Sequence, residues 1–304
     1  MNSKPADKHW RLIAAAAAAS AAAVIASRMV ATSRQRRRLL AAGQLRELQD
    51  VWTYVEGRRV FARASVGRSQ RGDTPLVLVH GWGVSGSYFI PAAERLAAEF
   101  AVYAPDLPGH GRSDTPRVPC DIRGFGDALI GWLDAMGIER ATLVGHSMGS
   151  QIAVEAALQQ PQRIDRLILM GLTPDPQGRS TPEQFRRFAV GGMYERVSLN
   201  NHMLKDYFRM GRRLVPEFRF MRDDPIEHTL PKVTTPVMLV SGEKDPMSPQ
   251  RWTDEAARLL RTNRIAVIPG WGHAVQFSAP QETVEAIQPF LREQLVPPAA
   301  PASV

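Results

Sequence analysis

The sequence has 304 residues, enough for a sizeable buried core, and its 44% hydrophobic and 22% charged content is ordinary for a globular protein. The net charge of +8 comes from the first 46 residues, which hold nine Lys and Arg and one acid, whereas the remainder carries 29 basic and 29 acidic side chains. This distribution argues against a basic nucleic-acid-binding face, and the single cysteine, Cys120, excludes an intrachain disulfide.

The first predicted element is a basic N-terminal arm, residues 1–46, with an apolar, alanine-rich segment. Residues 12–26 are apolar except for Ser20, and residues 12–31 together reach about the length of a membrane-spanning helix. Because Lys- and Arg-rich flanks tend to stay in the cytoplasm, we expect residues 12–31 to anchor the protein, with the folded domain on the cytoplasmic side. Two alternatives stay open: a cleaved signal peptide with export, and a helix that never enters lipid.

Short apolar runs predict the strands of the folded part. The first two, Val51–Val55 and Arg59–Ala64, are interpreted as an opening hairpin. Continuous apolar runs indicate strands that are buried on both faces, as in a parallel sheet. Six runs that are wholly or mostly apolar follow, at residues 76–79, 101–104, 141–144, 164–170, 237–240 and 265–268.

Helical patterns lie between these strands, near residues 87–99, 125–136, 151–159, 250–260 and 281–294. Repeated strand–helix units predict an α/β fold with a doubly wound, mostly parallel sheet. No strand is indicated over residues 172–231, and we expect a helical cap there, inserted between two parts of the core, 47–171 and 232–295. The Pro- and Ala-rich residues 296–304 are expected to be disordered.

The most informative motif is Gly145-His146-Ser147-Met148-Gly149, between a predicted strand and a predicted helix. In that context a G-x-S-x-G segment places the serine on a sharp turn, where it is exposed as a nucleophile. The turn crowds the positions two before and two after Ser147, and only small side chains fit there. The motif therefore predicts a nucleophilic serine.

A serine hydroxyl needs a base to accept its proton, and the base needs an orienting carboxylate. Asp245 follows the predicted strand 237–240, and His273 follows the last predicted strand. Of the seven histidines only His273 lies in the last strand–helix loop, and the other six are interpreted as structural or exposed. Asp175, which follows the strand 164–170, is the alternative acid.

The chain order Ser147, Asp245, His273, with each residue at a strand end, resembles the α/β-hydrolase family over roughly residues 50–295. The resemblance implies a serine esterase or lipase-like enzyme with a helical cap, which cleaves carboxylic esters through an acyl-enzyme intermediate. It also implies an oxyanion hole made of the main-chain N–H groups of Trp82 and Met148. Hydrolysis of carbon–carbon bonds in ring-fission products, and a non-catalytic ligand-binding protein of the same fold, stay open as alternatives.

The expected partner is a small-molecule ester. Neither a metal-ligand cluster nor a Gly-rich phosphate loop occurs in the sequence, so we expect no metal and no cofactor. The predicted cap is rich in aromatic residues and methionines. Together with the apolar segment 12–31, this composition favours a lipidic or medium-chain ester.

Overall fold

The structure, a computed structural model, describes residues 34–65, 74–262 and 264–293, of which residues 200–202 are described by their backbone alone. The expected anchor, residues 12–31, and the expected tail, residues 296–304, lie outside the described residues. The chain divides into two units between Arg46 and Glu47. The described part of the first unit contains a helix, α1, over residues 34–41. No helix among the described residues has the length and apolar character needed to cross a bilayer.

The second unit is built on an eight-stranded sheet. Its strands are β1 (Gln49–Val55), β2 (Arg58–Ala64), β3 (Leu76–Val79), β4 (Val102–Pro105), β5 (Ala141–His146), β6 (Ile164–Met170), β7 (Val237–Gly242) and β8 (Ile265–Ile268). They are arranged in the order β1-β2-β4-β3-β5-β6-β7-β8. β1 pairs with β2, and β2 with β4, in antiparallel fashion. All other neighbours are parallel. The predicted hairpin and the mostly parallel α/β sheet are confirmed.

Helices cover both faces of this sheet. In chain order after α1 they are α2 (Ile90–Leu96), α3 (Ile122–Ala135), α4 (Met148–Gln159), α5 (Thr181–Gly191), α6 (Val197–Met210), α7 (Leu214–Asp223), α8 (Ile226–Thr229), α9 (Gln250–Leu260), α10 (Val275–Ser278) and α11 (Pro280–Arg292).

The core consists of two apolar layers, one on each face of the sheet. Alternate side chains of a strand point to opposite faces, so Val77 of β3 packs in one layer and Leu78 in the other. The first layer includes Phe125 of α3 and Trp252 of α9, and the second includes Phe290 of α11. Each fully buried side chain of this kind contributes about 1.5–3 kcal/mol to the free energy of unfolding.

The segment between β6 and β7 forms the cap. Residues 172–231 contain α5 to α8 and no strand. The cap contacts loops that follow the carboxyl ends of the strands, since Trp82, after β3, packs its ring against Phe188, Tyr207 and Phe218 of the cap. The cap therefore covers the edge of the sheet where the predicted site residues lie.

Candidate active site

Ser147 lies on the turn between β5 and α4, in a backbone conformation that residues other than glycine rarely adopt. Its φ is 56° and its ψ is −124°, and its N–H donates a hydrogen bond to the Met170 carbonyl at 2.9 Å. A Cβ at Gly145 would lie 2.4 Å from the Gly149 carbonyl oxygen, and one at Gly149 would lie 2.0 Å from that of Val79. The two glycines are therefore required for steric reasons, and the strained serine marks a functional turn.

Asp245 and His273 are brought together from the loops after β7 and β8. The His273 Nδ1–H donates to Asp245 Oδ2 at 2.8 Å, which leaves Nε2 of the imidazole to act as a base. The other carboxylate oxygen, Oδ1, accepts the backbone N–H groups of Met247 at 2.8 Å and Ser248 at 3.1 Å. Asp245 is thus fixed by its own loop and orients His273.

The pKa values of this pair follow from burial and mutual attraction. Burial opposes the charged imidazole, but the negative charge and hydrogen bond of Asp245, together with the negative charge of Glu195, outweigh it and raise the pKa of His273 above its ordinary value. Burial likewise opposes the charged carboxylate, but His273 and the two backbone N–H donors hold the pKa of Asp245 below its ordinary value. Asp245 therefore stays ionised beside the histidine.

Asp175, the alternative acid, has different partners. Its carboxylate is fully buried and accepts hydrogen bonds from Arg187 at 2.8 Å and from Arg251 at 3.0 Å. It also accepts the N–H of Gln177. The carboxylate in contact with His273 is that of Asp245, whereas Asp175 joins the start of the cap to α5 and α9.

Ser147 and His273 line the same cavity of about 170 Å³ under the cap. Its walls are mostly apolar and come from both the core and the cap. The cap contributes Phe188, Leu199, Met203, Tyr207 and Met221, and the core contributes Trp82, Val84, Tyr88 and Met247. Such a lining suits an apolar ligand with one polar reacting group.

Trp82 and Met148 lie at two strand ends beside Ser147. Neither main-chain N–H has a hydrogen-bond acceptor within the described part of the chain. Met148 is the first residue of α4, so its N–H belongs to the positive end of the helix dipole. Two free donors of this kind are suited to a developing oxyanion. The Trp82 side chain has a separate role, because its Nε1–H donates to the Leu214 carbonyl of α7 at 3.0 Å.

Sequence reasoning did not find the hydrogen bonds of His146 and Tyr88. The Gly81 N–H donates to the Tyr88 hydroxyl at 3.0 Å, and that hydroxyl lies 2.6 Å from His146 Nδ1. His146 Nε2 lies 2.9 Å from the His273 carbonyl, so it carries the proton and Nδ1 accepts from Tyr88. Burial, with repulsion from His273, lowers the pKa of His146 to about 3, which keeps this imidazole neutral.

Glu195 of the cap was also missed. Its carboxylate accepts the Ala274 N–H at 2.8 Å and the Ser278 hydroxyl. Ala274 directly follows His273, and Ser278 is the last residue of α10. Burial raises the pKa of Glu195 above its ordinary value, although these two bonds oppose the shift. No sequence signal points to Glu195, because its partners lie far along the chain and meet it only in the folded protein.

The described residues contain no group of three or more His, Cys, Asp or Glu side chains with the arrangement of a metal site.

The class of α/β hydrolases is defined by three features that are present here. They are a mostly parallel sheet, a positive-φ serine between a strand and a helix, and a His–Asp pair in the loops after later strands. The sequence agrees, since the model of the alpha/beta hydrolase family matches residues 76–286. The chain belongs to the alpha/beta hydrolase family, and the protein is therefore a hydrolase.

Two related sequences and one solved structure show what this chain is similar to. An uncharacterized protein of Mycobacterium bovis is 28% identical, with 77% of this chain and 78% of that protein covered. A pimeloyl-[acyl-carrier protein] methyl ester esterase of Neisseria meningitidis is 30% identical over 65% of this chain and 84% of its own. A solved structure of a membrane phospholipase A, described as a bacterial virulence factor, has a TM-score of 0.71 and 22% identity, and covers 93% of this chain and 98% of its own. At that identity the similarity concerns the fold.

Proposed function

We propose that this protein is a serine hydrolase that cleaves carboxylic esters, with Ser147 as nucleophile, His273 as general base and Asp245 as its orienting carboxylate. The observation that carries the proposal is the 2.8 Å bond between His273 and Asp245, in a cavity that the positive-φ Ser147 also lines. The esterase among the relatives supports the ester as the substrate class.

The proposed reaction has two halves. In the first, Ser147 Oγ attacks the ester carbonyl carbon while His273 Nε2 accepts the hydroxyl proton, and the oxyanion accepts hydrogen bonds from the N–H groups of Trp82 and Met148. The tetrahedral intermediate collapses, and the alcohol leaves with the proton from His273. In the second half a water molecule, deprotonated by His273, attacks the acyl-enzyme and releases the acid.

The cavity supports an apolar acyl chain as the part of the substrate beside Ser147. Phe188, Met203 and Tyr207 line it from the cap, and this apolar lining suits an apolar chain. A lipidic or medium-chain ester is therefore the substrate that we propose. The membrane anchor at residues 12–31 stays part of this proposal.

An active-site probe tests the nucleophile directly. A fluorophosphonate is expected to label the full chain at Ser147, and Ser147→Ala is expected to abolish both labelling and ester hydrolysis. Ser198→Ala is the matched control, because Ser198 is exposed on the cap and should keep full labelling. Absence of labelling in the folded wild-type protein would instead favour a non-catalytic ligand-binding role.

The acyl preference is tested with p-nitrophenyl esters of increasing chain length. We expect kcat/KM to rise from acetyl to medium-chain esters, because each buried methylene adds about 0.8 kcal/mol of favourable transfer free energy. A sharp preference for acetyl esters would overturn the lipidic substrate but not the serine mechanism.

A further inference from the structure

The outer surface of the cap exposes many large apolar side chains. They lie on α5, α6 and α7 and on the turn between α5 and α6, and they are Phe185, Met193, Tyr194, Val197, Leu204, Phe208, Val215 and Phe220. Phe208 is the most exposed of them at 77%. Single exposed apolar residues are ordinary on a soluble surface, but a concentration of them on one insertion indicates a contact surface.

The arrangement is clearest on α6. Val197, Leu204 and Phe208 are separated by seven and four residues, which places them in one stripe along the helix. Lys205 and Arg209 follow two of these positions directly and form a second exposed stripe beside the first. The opposite side of the helix is buried and carries Leu199, Asp206 and Met210.

The exposed charges of the cap are almost all positive. Over residues 181–229, and among the side chains that the structure describes, the exposed basic residues are Arg186, Arg196, Lys205, Arg209, Arg212 and Arg219, and the exposed acid is Asp223. The other acids are used internally: Asp206 and Glu217 are buried, and Glu183 pairs with Arg186 and Arg187. Lys205, Arg209 and Arg212 have no carboxylate partner within the described part of the chain, and Arg219 lies near the charge of Asp223 without forming an ion pair with it.

From this combination we infer that the outer surface of the cap, which we call the cap face and which consists of these exposed apolar and basic residues, binds an anionic lipid bilayer. The apolar side chains enter the boundary between headgroups and acyl chains, and the neighbouring Lys and Arg side chains contact anionic headgroups. Charge complementarity selects this partner over a second copy of the chain, because two cap faces would bring like charges together.

The cap face lies close to the cavity that holds Ser147. Leu199, Met203 and Tyr207 line this cavity from the inner side of α6, whereas Phe208 and Arg209 lie on its outer side. The two surfaces are separated by one helix, with a diameter of about 10 Å. Binding to lipid does not rest on the proposed ester hydrolysis, and its test uses no enzymatic readout.

The experiment places a fluorophore on the cap face of the full chain. In a Cys120→Ser background, Phe208→Cys carries an environment-sensitive dye, and Ala135→Cys carries it in the matched control. Ala135 is exposed at the end of α3, which leads into the start of β5, so it lies at the edge of the sheet away from the cap. The probes are vesicles of phosphatidylcholine alone and of phosphatidylcholine mixed with phosphatidylglycerol.

We expect a blue shift and a rise in intensity at position 208 with the anionic vesicles, and no change at position 135. Lys205→Glu combined with Arg209→Glu is expected to remove most of the change at position 208, since each Lys or Arg near an anionic surface contributes about a fivefold factor in binding. An unchanged circular dichroism spectrum and urea midpoint of this double variant would show that it is folded.

Three results would overturn the inference. Vesicle flotation with no response at position 208 would assign lipid binding to another part of the chain, such as the basic arm. A response at position 208 that grows with protein concentration without vesicles would assign the cap face to a second copy. Equal responses at positions 208 and 135 would show unspecific adsorption.

Discussion

Two histidines in contact at the site have pKa values that are shifted in opposite directions. The rings of His146 and His273 are 4.6 Å apart, yet the pKa of His146 is lowered to about 3 while that of His273 is raised above its ordinary value. His146 donates to a carbonyl and has no carboxylate partner within the described residues, whereas His273 contacts Asp245. A neutral His146 adds no positive charge beside His273 when the latter accepts a proton, which favours the proposed base.

Asp245 should set the pH range in which His273 acts as a base. With aspartate in place, kcat/KM should fall as the pH drops through the raised pKa of His273, because only the neutral imidazole accepts the serine proton. Asp245→Asn removes the attraction, so the pKa of His273 should fall and the acid limb should move to lower pH. The variant should also lose about 10³-fold or more in kcat, because His273 loses its orienting partner.

The pH profile of ester hydrolysis checks this expectation. Asp175→Asn is the matched control, and its acid limb should match that of the wild-type protein, because Asp175 contacts Arg187 and Arg251 rather than His273. Normal rates in Asp245→Asn alongside an inactive Asp175→Asn would assign the acid to Asp175.

Glu195 should influence the same pKa from the cap. Its charge helps to raise the pKa of His273, and its carboxylate accepts hydrogen bonds from Ala274 and Ser278. Glu195→Gln retains one acceptor oxygen but loses the charge, so the acid limb of kcat/KM should shift to lower pH with only a few-fold loss at the optimum. Glu183→Gln should leave the limb in place, because Glu183 on α5 pairs with Arg186 and Arg187 rather than with residues next to His273. If the acid limb of kcat/KM does not move in Glu195→Gln, Glu195 has a structural role only.

At the scale of elements, the cap is joined to the core by a buried ionic cluster. Arg213, just before α7, donates to the carbonyl oxygens of Pro108 and Gly109 and pairs with Glu217. The Glu217 carboxylate is fully buried, 3.2 Å from His110 Nε2. These contacts hold α7 on the loop after β4, so the cap position depends on two charged side chains that compensate one another.

Removing one member of this cluster should be costly. Arg213→Ala leaves Glu217 buried without its partner, and we expect a loss of about 3 kcal/mol in the free energy of unfolding. Arg212→Ala removes a neighbouring arginine that is exposed, and its effect should stay within about 0.5 kcal/mol. Urea denaturation followed by circular dichroism measures both. Equal stabilities of the two variants would contradict the proposed connection.

Much of the fold was predictable because the signals for its elements are local. The bounds of β3, β6 and β8 match the predicted runs residue for residue. β3 is apolar and buried throughout, as expected of a central parallel strand, whereas β6 begins with the polar pair Asp165 and Arg166 after Ile164, and β8, at the edge of the sheet, exposes Val267. The predicted first residues of the helices were less accurate than the predicted strand bounds. α3 begins at Ile122 because the Asp121 side chain accepts the Gly124 N–H. α2 is confined to Ile90–Leu96 and follows a 3₁₀ turn, since Pro91 suits only the first turn of a helix.

The residues of the candidate site were likewise predictable only where a local sequence pattern marks them. Ser147 follows β5 directly, and Asp245 and His273 lie in the loops after β7 and β8, so the sequence pattern places all three at one edge of the sheet. Tyr88 and Glu195 carry no pattern of their own, and their relation to His146 and His273 exists only through tertiary contacts. Local periodicity therefore predicts the groups at strand ends but not the side chains that hold them in place.

For the whole molecule, the positive charge lies in the basic arm, residues 1–46, and the remainder is neutral. Two parts of the chain are proposed to contact lipid, the segment 12–31 and the cap face, and different forces act on each of them. The segment 12–31 is apolar, whereas the cap face depends on both cations and apolar side chains. Attraction between exposed charges is screened by salt, but burial of apolar surface is not. Salt therefore separates the two contributions.

Cell fractionation tests this division. The full chain is expected in the membrane fraction and should resist a high-salt wash, because residues 12–31 stay in the bilayer. A chain that lacks residues 1–40 is expected to bind membranes through the cap face, and high salt should weaken this binding because it screens the headgroup contacts of the Lys and Arg side chains. The control is the same truncated chain with Lys205→Glu and Arg209→Glu, which should stay soluble at all salt concentrations. A full chain that is soluble throughout would disprove the anchor.

The hydrogen-bonded series from Gly81 through Tyr88 and His146 to the His273 carbonyl connects three separate loops. These loops carry Trp82, Ser147 and His273, so the proposed oxyanion donor, nucleophile and base belong to one hydrogen-bonded frame. Since these groups are held in one frame, differences in substrate preference should come from the cap. Exchange of cap residues should therefore alter which esters enter, while the same bond-breaking steps operate on each of them.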